Sequence, residues 1–277
     1  MVHPARFNRF VRWIFYLALA GCLVYIFWLP DVPWLLHHNP TKTSLMQLRQ
    51  EQAELTGRSL KSVMIWKPLD EISPYLRHAI VLAEDDTFYQ HNGFDFEQIQ
   101  VALQRDWAKK RFVYGGSTIT QQLARTLYLS PKKNLLRKAK EAAITVYLEH
   151  TLPKKRILEL YLNVAEWGRG IYGAEAAARN YYNKSAADLT PDEAVSLASI
   201  LPSPRRWSPL SEHAFMARRR TGLIERMQRA GYIPPALPSE LPAELPVVVS
   251  PDDLQGEEHP SPETEPPIPL PVDPQSN

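Results

Sequence analysis

A single cysteine, Cys22, stands among 277 residues, which excludes an internal disulfide framework and leaves little basis for a thiolate metal site. The eight histidines show no ligand spacing, so no zinc site is expected. Period-2 alternation is almost missing between Pro74 and Arg229, which removes the main signal of a sheet domain. Positive charge is absent after Arg229. Nine acidic residues follow with no Lys or Arg, so the formal +2 of the whole chain leaves residues 1–229 at +11. A basic domain of this kind faces nucleic acid, phospholipid headgroups or a phosphorylated substrate.

Long apolar runs are scarce as well, with one exception. Arg6, Arg9 and Arg12 precede an uninterrupted run from Trp13 to Leu29, closed by Pro30. At 1.5 Å per residue it measures about 26 Å, enough to cross a hydrocarbon layer of about 30 Å with help from its flanks. Basic residues before the run and few after it predict a single-pass anchor, with the N-terminus cytoplasmic and everything from Asp31 outside. Trp13, Tyr16, Trp28 and Trp34 sit where interfacial aromatics belong. Leu19-Ala20-Gly21-Cys22 resembles a lipobox, but Leu23–Leu29 stay apolar where a mature lipoprotein turns polar. Cys22 is therefore read as a small apolar helix residue.

The expected domains are a cytoplasmic N-terminus (1–12), the anchor (13–30), a stalk (31–72), a catalytic domain (73–232) and a Pro-rich acidic tail (233–277). The stalk carries a helical pattern over Ser44–Leu55 and a short β-like piece at Ser62–Trp66. Beyond it the pattern is helix after helix, which makes the domain mainly α. Asp95–Lys109, Ser117–Leu129, Arg137–His150, Lys154–Trp167, Ala194–Leu201 and Phe215–Ala230 all carry helical spacing. Ser117 or Thr118 offers an N-cap, and Thr190-Pro191-Asp192-Glu193 is a capping box. Ala142, Ile144, Val146 and Leu148 are expected to be mostly core. Lys109–Gly116 mixes basic and aromatic residues, as a bilayer-interface segment or an ordinary loop does. Thirteen of the 25 prolines follow Tyr232, which predicts an extended tail without chemistry.

Chemistry is concentrated in Glu84-Asp85-Asp86-Thr87-Phe88-Tyr89-Gln90-His91-Asn92-Gly93. Glu84 ends the apolar run Ala79–Ala83 and stands beside two like charges. Both features raise a carboxyl pKa, as a general base working near neutrality requires. A solvated acidic turn is the ordinary alternative. Two other matches are discounted. Gly168–Gly173 fits GxGxxG, but it follows a predicted helix rather than a strand; Ser130–Lys133 fits SxxK but lacks the partner motifs.

Five blocks in order carry a resemblance: the stretch at Glu84; Gly115-Gly116-Ser117-Thr118-Ile119-Thr120-Gln121-Gln122; Arg137-Lys138-Ala139-Lys140-Glu141; Lys154–Asn163; and Arg169–Ala177. Together they resemble the peptidoglycan glycosyltransferase family, and the lack of a transpeptidase domain resembles its monofunctional, biosynthetic members. The resemblance implies a lysozyme-like, two-lobed helical domain behind the anchor, at the periplasmic face of the inner membrane. It implies polymerisation of lipid II into β-1,4 glycan strands, with inversion at the donor carbon and release of polyprenyl pyrophosphate. Glu84 would be the base and Glu141 the second catalytic carboxylate, although Arg137 and Glu141 are also spaced for a plain i,i+4 ion pair. Ser117, Thr118, Gln121, Gln122, Arg125, Arg137, Lys138 and Arg169 would bind substrate. Asp85, Phe88, His91, Glu159 and Asn163 would support them.

The implied partners are lipid II, the lipid-linked growing strand, the membrane, and cell-division or cell-wall synthesis proteins, with no nucleic acid. No obligatory cofactor or metal follows, and a divalent cation (Mg or Mn) at the pyrophosphate is the one that the resemblance allows. A hydrolase of similar shape is the rival reading, since paired carboxylates on helices also cleave glycans. A catalytically silent scaffold is a third.

Overall fold

The computed structural model describes residues 4–109, 116–130 and 134–234, leaving aside the side chains of 4–11, 14, 103 and 105–109. The Lys109–Gly116 segment, the Ser130–Lys133 match and the Pro-rich tail fall largely outside these residues. The described chain is mainly helical, with ten α-helices and three short strands.

The first helix, α1 (Pro4–Phe27), is 24 residues long. Among the described residues no helix is long and apolar enough to cross a membrane. The described apolar side chains of α1 are nonetheless largely exposed, Phe15, Leu17, Val24 and Phe27 among them. Its C-terminal half lies along α6 (Leu135–Thr151), with Lys140 Nζ 4.2 Å from the centre of the Tyr25 ring. The residues that follow join the main core, for Val32, Leu35 and Ile72 are buried within it. Thr43 caps α2 (Ser44–Leu55) by accepting from Met46 N at 3.1 Å.

Around the site, the helices pack in two groups. In the first, α3 (Pro74–Glu84) lies against α9 (Pro191–Ile200) and α10 (Ala214–Arg229). Pro74 fits the first turn of α3, where no N–H is needed. Leu76, Ala79, Ile80 and Val81 form its buried stripe, and each large aliphatic is worth about 1.5–3 kcal/mol of burial. The Thr190–Glu193 capping box starts α9. In the second group, α5 (Ile119–Tyr128) contacts α2, α6 and α7 (Lys154–Val164). Ile144 and Leu148 of α6 are buried, but Val146 is exposed. The expectation of a core residue there is corrected by helix geometry, since a position two residues from both points to the opposite face.

The helix expected to run to Trp167 stops at Val164, and β2 (Glu166–Gly168) begins. β2 pairs antiparallel with β3 (Ile171–Tyr172), which pairs in parallel with β1 (Val63–Met64), in the order β1-β3-β2. The strands β2 and β3 were not anticipated, because runs of three and two residues are too short to display alternation. Gly168–Gly173 therefore does follow a strand, but it is a hairpin turn rather than a βαβ crossover, so a dinucleotide site is still excluded. Gly173 opens α8 (Ala174–Tyr182) at φ +83°, and a Cβ there would lie 2.6 Å from Asn163 O. Only glycine satisfies both conditions.

A second compact unit contains α4 (Phe96–Lys109) from Glu97 onward. Its start matches the expected Asp95–Lys109 helix to within a residue.

Candidate active site

Glu84 is the last residue of α3, and Asp85 leaves the helix at φ −166°. Glu84 Oε2 accepts from Gln122 Nε2 at 2.9 Å, and Gln122 Oε1 accepts from Tyr161 OH at 2.9 Å. Tyr161 is buried, and its phenol is pushed well above its ordinary value by burial and then by the Glu84 charge. It therefore remains a donor at any physiological pH. That donor orients the Gln122 amide with its NH₂ towards the carboxylate. The residue Glu84 is half-buried, while its Oε1 is shut from solvent without a hydrogen-bond partner among the described residues. Burial raises the Glu84 pKa, against the Gln122 hydrogen bond and the charges of Arg219 and Arg125. A carboxylate with one oxygen tied and the other unengaged can accept a proton.

Asp85 is buried and holds the loop together. Its Oδ2 accepts from Ile119 N at 2.9 Å, at the start of α5, and its Oδ1 faces His91 Nε2 at 2.8 Å. His91 Nδ1 accepts from Gly93 N at 3.1 Å, which leaves Nε2 as the donor to Asp85. Burial raises the Asp85 pKa, opposed by those two hydrogen bonds. Phe88 is fully buried beneath this loop, with Lys154 Nζ 4.4 Å from its ring centre.

The second cluster centres on Glu141, which is fully buried on α6. Arg137 Nη1 donates to its Oε2 at 2.6 Å and Lys138 Nζ to its Oε1 at 2.5 Å, while Arg125 Nη1 stands 3.9 Å from Oε2. Three cations thus surround one carboxylate, a net positive patch suited to a larger anion. Arg125 acts on both Glu84 and Glu141, which links the two clusters through α5. Arg137 Nε is buried without a partner among the described residues. A divalent ion finds no prepared place there. Glu141 is the carboxylate at hand with both oxygens taken, and no group of three or more metal-ligating side chains occurs among the described residues.

Other expected residues serve different contacts. Thr118 and Gln121 are buried in a reciprocal cap of α5, and Thr118 Oγ1 also donates to Gly93 O at 2.8 Å. The cap engages Thr118 Oγ1 and Gln121 Oε1 inside the fold, and Ser117 contributes its carbonyl to Gln122 at 3.4 Å. Arg169 is exposed in the β2–β3 turn. Glu159 and Asn163 bind backbone: Glu159 Oε2 accepts from Leu69 N at 3.2 Å, and Asn163 Oδ1 accepts from Lys67 N at 2.8 Å. Two residues were missed as site members. Tyr161 is spaced four from Ile157 on a helical pattern, which by itself indicates only a core position. Arg219, on α10, has no local signal because it is 135 positions from Glu84, although Arg226, two turns on, pairs with Asp86 at 3.2 Å.

A carboxyl held above its ordinary pKa by burial stands near a cluster of three cations, both mounted on helices, an arrangement suited to moving a proton beside an anionic group. A family model described as Transglycosylase matches residues 51–228. The chain is 47% identical over 207 residues to a biosynthetic peptidoglycan transglycosylase of Aromatoleum aromaticum, covering 75% of this chain and 84% of that protein. It is 44% identical over 218 residues to one of Thiobacillus denitrificans, covering 78% and 94%. It is 47% identical over 200 residues to one of an Azoarcus species, covering 71% and 87%. The chain belongs to the transglycosylase family and is a peptidoglycan glycosyltransferase.

Proposed function

We propose that the enzyme polymerises lipid II with inversion at the donor carbon and release of polyprenyl pyrophosphate. The observation that carries this reading is the half-tied carboxylate of Glu84, with its free Oε1. The acceptor 4-hydroxyl gives its proton to the Glu84 carboxylate as its own oxygen bonds to the donor C1. The C1–O bond to the pyrophosphate breaks in the same displacement, and its electron pair leaves with the diphosphate. Arg125, Arg137 and Lys138 are the cations available to hold that leaving group, so no general acid is needed. Any divalent ion would travel with the diphosphate rather than be held by the protein, and no step depends on one.

The same reading makes α1 with its flanks a single-pass inner-membrane anchor, N-terminus inside, and makes the domain a lysozyme-like, two-lobed body on the periplasmic face. A lipid-linked substrate supports this, as do the exposed apolar side chains of α1 and the basic run before Trp13. Cell-wall synthesis and division proteins are its expected neighbours. The test is to incubate detergent-solubilised protein with labelled lipid II and separate the products by gel, beside Glu84→Gln. Polymer from the wild type with a loss of at least about 100-fold in the variant is expected for removal of a general base. Near-normal polymer from Glu84→Gln removes Glu84 as base, and cleavage of added strands without polymer would favour the hydrolase.

A further inference from the structure

A cavity of about 330 Å³ lies away from both clusters, between the segment that leaves α1 and the last turn of α5. Trp34, Leu35, Leu127 and Tyr128 are among its lining, and Asp31 and Lys42 add one charge of each sign. Neither charge makes an ion pair among the described residues. Asp31 Oδ1 accepts from Trp34 N at 3.2 Å, which leaves the other oxygen unengaged. Opposite charges that line one cavity without pairing are complementary to a ligand that carries both signs itself.

The walls are fixed by the fold. Val32 and Leu35 are buried in the core. Arg156, on α7, donates to Leu35 O, His38 O and Asn39 Oδ1, each at 2.8 Å. Tyr128 has its phenol pushed up to about 12 by burial and by the Asp31 charge, so it keeps its proton. Trp34, in the cavity lining, and Trp28, just after α1, have exposed indoles, as at a membrane–water boundary.

We propose that this cavity is a phospholipid site that takes a zwitterionic aminophospholipid headgroup, with the phosphate on Lys42, the primary amine on Asp31 and the glycerol stem against Trp34, Leu127 and Tyr128. The inference rests on the membrane-anchor reading above. A primary amine fits Asp31 because it donates hydrogen bonds, which a quaternary ammonium cannot do; an anionic glycerol headgroup would leave Asp31 opposed to a like charge. Tyr128 is one turn from Arg125 on α5, so an occupied cavity braces the helix that carries Gln122 and Arg125.

The full-length protein is to be reconstituted in phosphatidylglycerol vesicles, alone or with equal fractions of phosphatidylethanolamine or phosphatidylcholine. Lipids retained after detergent extraction are then counted by native mass spectrometry. Wild type should retain phosphatidylethanolamine over either competitor by about fivefold, the equivalent of about 1 kcal/mol. Asp31→Asn and Lys42→Gln should each abolish that preference without changing the melting temperature, and the exchange Asp31→Lys with Lys42→Asp should restore part of it. Equal retention of the three lipids, or an unchanged preference in both single variants, overturns the proposal. So does a site filled by soluble phosphoethanolamine while no lipid is retained. Failure of the protein to float with vesicles defeats the anchor reading itself, whereas flotation without preference defeats only the headgroup site.

Discussion

Tyr161→Phe removes one oxygen and tests the linkage that prepares Glu84. The phenol donates to Gln122 Oε1 at 2.9 Å in a place where Tyr161 is only 3% exposed. Deleting the donor strands a buried amide oxygen, which costs about 1–3 kcal/mol. In a domain of this size that lowers the melting temperature by about 2–12 °C. The amide is then free to turn, and the Nε2–Glu84 bond at 2.9 Å loses its orientation. That bond favours the ionised carboxylate, so its loss moves the Glu84 pKa further up. The acidic limb of the kcat/KM profile for lipid II polymerisation should therefore move to higher pH, with activity largely recovered on the alkaline side. The pH–rate profile is measured for wild type, Tyr161→Phe, Gln122→Ala and the double variant. If Tyr161 acts through Gln122, the double variant behaves like Gln122→Ala alone. A limb that does not move, with activity reduced equally at every pH, would refute the reasoning.

The raised Glu84 pKa also predicts a stability effect. A carboxyl raised by burial keeps its proton in the folded state where the unfolded chain has lost it. Its contribution is complete below the unfolded value and declines as pH rises through the folded value. Glu84→Gln should accordingly gain more in melting temperature over wild type at pH 8 than at pH 4, and parallel curves would contradict this. Gly173→Ala forces a side chain into φ +83° and to within 2.6 Å of Asn163 O; urea unfolding should register a loss of about 2 kcal/mol or more.

Much of the helical frame was legible because it rests on local signals. Ser44–Leu55 was read at its observed bounds, and the Thr190–Glu193 box announces α9 by itself. The same local logic places Thr118 and Gln121, whose spacing fits the capping box that starts α5. The Glu84–Gln122–Tyr161 chain joins three helices and is set by how α7 crosses α5, which no window of sequence contains. Arg219 reaches Glu84 only because α10 packs on α3. The strands β2 and β3 escaped notice for a different reason, since they are held by pairing rather than by their own pattern.

Helix α7 has a consequence of its own. Arg156 grips the segment at Leu35–Asn39, Glu159 and Asn163 hold Lys67–Leu69, and Tyr161 holds the Gln122 amide that donates to Glu84. These grips are spaced along one rigid rod, and Arg156 and Tyr161 are about 7.5 Å apart along its axis. Under the proposed anchoring and the proposed role of Glu84, α7 would act as a ruler, setting a fixed height above the lipid surface at which a hydroxyl can meet that carboxylate. A sugar tethered by too long or too short a linker would be bound by the same groups and still be out of reach.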